Sequence, residues 1–105
     1  MRRPGWGEIW WCDLEPGGKR PVVVLSRPES VGRLRRILVA PATTKVRNLP
    51  TEVHLDNDDG VPRPCVLNLD TPELVDPRTL TDYMGQLSPL RWGEVCAAMS
   101  TAINC

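Results

Sequence analysis

The sequence predicts a small, mainly β domain of the α+β class, a closed or half-closed barrel finished by one C-terminal α-helix. Three observations carry this. Five or six short apolar runs are separated by clusters of Gly, Pro, Asn and Asp. Helical spacing is sustained in one stretch, at the end of the chain. The 105 residues suffice for one modest core, so a single domain spanning 1–105 is expected.

The elements follow in order. Glu8 to Leu14 reads as a strand centred on Ile9, Trp10 and Trp11, whose indoles must point to opposite faces. Glu15-Pro16-Gly17-Gly18 is a loop, from glycine freedom and proline restriction. Pro21 to Ser26 is continuously apolar, the mark of a strand buried on both faces, and Arg27-Pro28 ends it. Leu34 to Ala42 is the next apolar run, with Arg35 and Arg36 at its solvent edge or start. Thr51 to Asp56 alternates polar and apolar side chains, as a half-buried strand does. Asn57-Asp58-Asp59-Gly60 is a turn, and Cys65 to Leu69 a second buried strand. Asp76 to Leu80 predicts a short helical turn and Asp82 to Leu87 a last strand.

Ser88 and Pro89 open the helix, with serine at the N-cap and proline at the first helical position. Trp92, Val95, Cys96, Met99, Ala102 and Ile103 recur at helical spacing and are expected to form one stripe against the core. Gly93 weakens the helix by about 1 kcal/mol relative to alanine.

Composition excludes several classes. No stretch approaches the roughly 20 apolar residues that span a bilayer, and nothing reads as a signal peptide. A soluble cytoplasmic protein is expected, with no membrane partner. Cys12, Cys65, Cys96 and Cys105 form no Cys-x-x-Cys pair, and His54 is the sole histidine. The four are expected as buried free thiols, with no metal and no cofactor. Net charge is zero, yet residues 1–50 carry ten basic side chains against four acidic ones, and residues 51–105 carry three against nine. A basic half suits a polyanion partner. A barrel that interleaves both halves would cancel that field.

Two segments carry the chemistry. In Lys19-Arg20-Pro21-Val22-Val23-Val24-Leu25 a guanidinium heads a buried strand. In Val39-Ala40-Pro41-Ala42-Thr43-Thr44-Lys45 a threonine ends one. A strand end is the usual place for working side chains on a rigid scaffold. Arginine offers a planar fork of donors that stays charged, which suits a phosphate, and a threonine hydroxyl adds a neutral donor. Lys19, Thr44, Lys45 and Arg47 cluster with this pair in sequence. The plain alternative is a solvated basic turn beside a threonine chosen for strand propensity. His54 is a candidate base only as the sole histidine, and its alternating strand puts it at the surface. Of Trp10 and Trp11, one belongs in the core and the other could stack on a base or a partner, though packing in the core or at a subunit interface suits both.

Taken in order, Gly7-Glu8-Ile9-Trp10-Trp11-Cys12-Asp13-Leu14, Lys19 to Val24, Val39 to Thr43, Leu49-Pro50-Thr51-Glu52-Val53, Cys65-Val66-Leu67 and Gly85-Gln86-Leu87-Ser88-Pro89 resemble the MazF/PemK family of toxin–antitoxin toxins. The resemblance implies an SH3-like barrel, a homodimer, and metal-independent cleavage of single-stranded RNA at short sequences. It implies a cognate antitoxin as partner. The family's catalytic arginine matches Arg20 and its catalytic threonine matches Thr43. Lys19, Thr44, Lys45 and Arg47 are the expected RNA-binding residues. The loop Glu15 to Lys19 is shorter than is usual there, and Asp70-Thr71-Pro72-Glu73-Leu74 puts an acid where the family often has arginine. Other classes share such barrels: a toxin that binds gyrase, or a nucleic-acid- or antitoxin-binding module without catalysis.

Overall fold

The computed structural model describes residues 4–14, 17–27, 33 and 35–103. Within them lie seven antiparallel strands and one helix: β1 (Glu8–Leu14), β2 (Gly18–Val24), β3 (Ile37–Thr43), β4 (Glu52–Leu55), β5 (Cys65–Asn68), β6 (Glu73–Val75), β7 (Leu80–Gln86) and α1 (Pro89–Ile103). Short 3₁₀ turns cover Asn57–Asp59 and Pro77–Thr79. The expected strand from Pro21 begins three residues earlier, and the expected start of the next at Leu34 lies outside the described residues, as do Glu15, Pro16, Pro28 and Cys105.

The sheet runs β4-β5-β3-β2-β1-β7, with β6 added on β3. It is open, the half-closed form of the two expected, and its ends are β4 and β7. They are drawn together where the turn after β4 meets β7 backbone to backbone. A Cβ on Gly85 would come within 2.8 Å of the Asp59 carbonyl oxygen, so only glycine permits this approach.

Val22, Val23 and Val24 have no exposed surface, as a continuous apolar strand requires. They feed two cores on opposite faces of β2. Val23 joins Ile9, Ala40, Leu55, Leu67, Leu87 and Val95 beneath the helix. Val22 and Val24 join Trp10, Cys12, Ile37, Val39, Val75 and Leu80 on the other side. On β4, Val53 and Leu55 are buried while His54 is exposed, as the alternation predicts.

The sequence pattern missed β6. Its three residues pair with Ile37–Val39, but Glu73 and Leu74 are exposed and only Val75 is buried. So short a run carries no readable period. The helical stripe also needs correction. Val95 and Ala98 are the buried positions, with Met99 and Ala102 packed beside them. Trp92 and Ile103 are 43% and 58% exposed, and Cys96 is exposed. The helix packs chiefly on β4, a strand of four residues, which covers only a narrow strip of it. The expectation of four buried thiols therefore fails at Cys96, which sits off that strip; Cys12 and Cys65 are buried.

Candidate active site

The site begins with two prolines. The β2–β3 ladder pairs Val24 with Val39, Val23 with Ala40 and Val22 with Pro41, and goes no further. Pro21 and Pro41 both lack the N–H that a ladder needs, and the ladder ends between them. Beyond this point β2 pairs only with β1, with Arg20 opposite Cys12. The end of β3 turns to β5 instead, with Ala42 opposite Leu67 and Thr43 opposite Val66. The two strands splay. Continued by two positions, their register sets Arg20 across from Thr43 on either side of the gap.

A groove of about 350 Å³ fills this gap. Its walls include Trp11, Lys19, Arg20, Thr43, Thr44, Arg63 and Cys65 and, among the described residues, no Asp or Glu. Arg20 is exposed and, among the described residues, has no carboxylate in ion-pair range. The Thr43 hydroxyl oxygen accepts the Lys45 N–H at 3.1 Å. That bond fixes the oxygen and leaves the hydroxyl proton available to a ligand. Lys19 also borders the groove but lies 3.6 Å from Asp82, an exposed pair of small energetic weight.

Of the expected RNA-binding residues, Lys19 and Thr44 reach the groove; both threonines line it, despite their opposed faces on an ideal strand. Lys45 and Arg47 are exposed on the segment that follows and are not part of its walls. Glu52 holds that segment in place. Its carboxylate accepts the Arg47 N–H at 3.1 Å and the Leu49 N–H at 3.2 Å. Of the two tryptophans, Trp10 is the buried one; its ring meets Tyr83 edge-on at 5.7 Å and its Nε1 donates to Glu8 at 3.2 Å. Trp11 is half-buried and borders the groove.

Arg63 was not legible as a site residue from the sequence. It is one of three basic residues in an acidic half, and only the fold brings its loop to the groove. The one sequence signal was its setting, Pro62-Arg63-Pro64, which fixes the backbone on both sides. Cys65 lies in the wall as a poor nucleophile, since burial foremost, then Asp59, push its thiol pKa up. Asp70, part of the departure noted above, accepts the Thr51 hydroxyl at 2.5 Å and so ties the start of β4 to the end of β5.

A larger cleft, about 980 Å³, lies elsewhere, beside β6. Its charges are mixed: Arg35, Arg36 and Arg78 with Asp13 and Asp76. Arg78 is already taken by Asp76, at 2.7 Å. The smaller groove, with three cations and no anion among the described residues of its walls, is the better anion site.

A curled antiparallel sheet opened by two prolines into a groove lined by cations, with an indole at its side, defines a small β protein suited to a polyanion that carries flat bases. The chain belongs to the PemK-like, MazF-like toxins of type II toxin–antitoxin systems, whose family model matches residues 6–103. It is 45% identical over 103 residues to the probable endoribonuclease MazF5 of Mycobacterium tuberculosis, covering 97% of this chain and 94% of that one. A solved endoribonuclease in complex with its cognate antitoxin, from a mycobacterial species, superposes with a TM-score of 0.88 at 26% identity, over 96% and 95% of the two chains. The Mycobacterium tuberculosis toxin MazF-mt6 does so with a TM-score of 0.86 at 30% identity, over 92% and 96%.

Proposed function

We propose that this chain is an endoribonuclease toxin that cleaves single-stranded RNA in the groove between β2 and β3. The observation that carries the reading is that Arg20 and Thr43 line one groove, where the β2–β3 ladder stops. Cleavage uses the RNA's own 2′-hydroxyl. Its oxygen attacks the adjacent phosphorus, the bond to the 5′-oxygen breaks, and the ends are a 2′,3′-cyclic phosphate and a 5′-hydroxyl. The five-coordinate phosphate between them carries more negative charge than the ground state. Donors aimed at that charge accelerate the step without a metal. Arg20 supplies the fork and Thr43 the neutral donor.

Among the described residues, no groove side chain is suited to take the 2′ proton at neutral pH: these walls hold no His, Asp or Glu, and burial holds the Cys65 thiol protonated. The proton passes to water or hydroxide, and the 5′-oxygen is reprotonated from the same source or from Arg20. Trp11 offers a face for one base. Lys19 and Thr44 hold flanking phosphate within the groove; Lys45 and Arg47 extend the positive track beyond it.

The protein acts as a homodimer and is held inactive by a cognate antitoxin, whose acidic segment covers the groove and excludes RNA. Titrating antitoxin into labelled, uncleavable RNA bound to the toxin should release the RNA; a stable complex of all three would refute occlusion. The central test is incubation of pure protein with mixed RNA in EDTA. Cleavage that persists, and disappears when the scissile nucleotide is 2′-deoxy, is the expected result. Intact RNA with folded protein would sink the enzymatic reading.

A further inference from the structure

We infer that Arg63 is a substrate-positioning residue that holds the phosphate next to the scissile one, and so belongs to the RNA site as a second cationic wall. This rests on the groove being the RNA site. Arg63 lies on the segment between the Gly60 turn and β5, far from Arg20 in sequence, yet it lines the same groove as Arg20, Thr43 and Trp11. Its side chain is exposed and, among the described residues, has no carboxylate in ion-pair range and no hydrogen-bond partner. By contrast Arg78 and Arg91, the other two arginines after residue 50, are each held by an aspartate.

Its backbone is fixed in advance of binding, which leaves only the side chain to order. Pro62 and Pro64 restrict the backbone on either side of it. The turn before it is pinned at Gly60, whose backbone φ of 93° and contact with Gly85 admit no other residue without strain. A guanidinium presented in this way has the fork geometry for phosphate. Arg20 and Thr43 serve the reacting phosphate from the β2–β3 wall. Arg63, on the opposing segment, meets the strand at a neighbouring phosphate. Its contact is the same before and during the reaction, so it contributes binding rather than barrier lowering.

The test uses the full chain and a short single-stranded RNA that carries 2′-deoxy at the scissile position, so that binding is read without cleavage. Arg63→Ala should weaken binding about tenfold or more. The slope of log affinity against log salt should fall by about 0.7, the share of one phosphate on a single strand. With cleavable RNA, KM should rise while kcat stays within about twofold. Arg63→Lys should recover part of the affinity. Arg78→Ala removes the same charge outside the groove and should leave binding within about twofold. Equal losses for Arg63→Ala and Arg78→Ala would reduce the effect to net charge and overturn the inference, as would unchanged affinity or an effect on kcat alone. If the unaltered protein binds no RNA, the failure lies with the groove's assignment and not with Arg63.

Discussion

The buried carboxylate of Asp59 joins the turn after β4 to the first turn of the helix through Arg91. Arg91 Nε donates to Asp59 Oδ2 at 3.2 Å, and the Ser88 N–H donates to Oδ1 at 2.9 Å. Asp59 also accepts the Asp56 N–H at 3.0 Å, closing a capping box on its own turn. Ser88 does precede the first helical residue, but the described partner of its N–H is this distant aspartate. Burial works against the Arg91 charge, while Asp59 and Glu94 favour it, and its pKa ends up raised. Arg91→Ala leaves a fully buried carboxylate with backbone donors alone. It should cost about 3 kcal/mol in chemical denaturation. A loss under about 1 kcal/mol would mean that the two N–H groups suffice.

Arg20→Ala should lower the cleavage rate by about a hundred- to a thousandfold with the fold intact, the usual cost of losing one transition-state donor. Arg20→Lys should recover little, because a point charge does not replace a fork. The activity of the unaltered protein should rise steadily from about pH 6 to 8, with no inflection near the ordinary histidine pKa of about 6.5. Near-native cleavage by a folded Arg20→Ala protein would remove Arg20 from the mechanism.

The Thr43 hydroxyl accepts the Lys45 N–H and, on the proposed mechanism, also donates to the phosphate, and its variants test the two together. Thr43→Val deletes both the donor and the acceptor for the Lys45 N–H, and cleavage should fall at least about tenfold. Thr43→Ser keeps both and should stay within about threefold. Thr44→Val should cost less than Thr43→Val, since the fixed hydroxyl belongs to Thr43. A larger loss at Thr44 would move the working hydroxyl by one residue.

The pair Asp76 and Arg78 gives a titration test away from the groove. Hydrogen bonds from the Arg78 side chain, then from its backbone N–H, lower the Asp76 carboxyl from 3.8 to about 2. A depressed carboxylate stabilises the fold above its unfolded pKa and loses that contribution as pH falls through the folded one. The window is therefore about pH 4 down to about 2. Arg78→Ala should return the Asp76 titration toward 3.8, read by carbon NMR, and flatten acid sensitivity in that window. An Asp76 titration unmoved by the variant would show that the pair does not persist in solution.

Much of this molecule was legible in its local pattern. Strand β1 follows from its own residues, and the burial of Val22 to Val24 on both faces from an unbroken apolar run. His54 at the surface follows from alternation, and the helix start from Ser88-Pro89. Thr43 could be singled out because it ends its strand; Arg20, expected at a strand head, lies within β2, where β3 has already left it. What no local pattern holds is what approaches from elsewhere. β6 exists because β3 offers it an edge. The helix buries Val95 and Ala98 because β4 is too short to cover the whole stripe. Ser88 finds its partner in Asp59, and Arg63 reaches the groove because Gly60 and Gly85 let two backbones touch. Periodicity reports one element's demand for burial. Which neighbour meets that demand, and which polar group arrives with it, is decided by packing between segments distant in sequence, and there the tertiary structure alone assembled the groove.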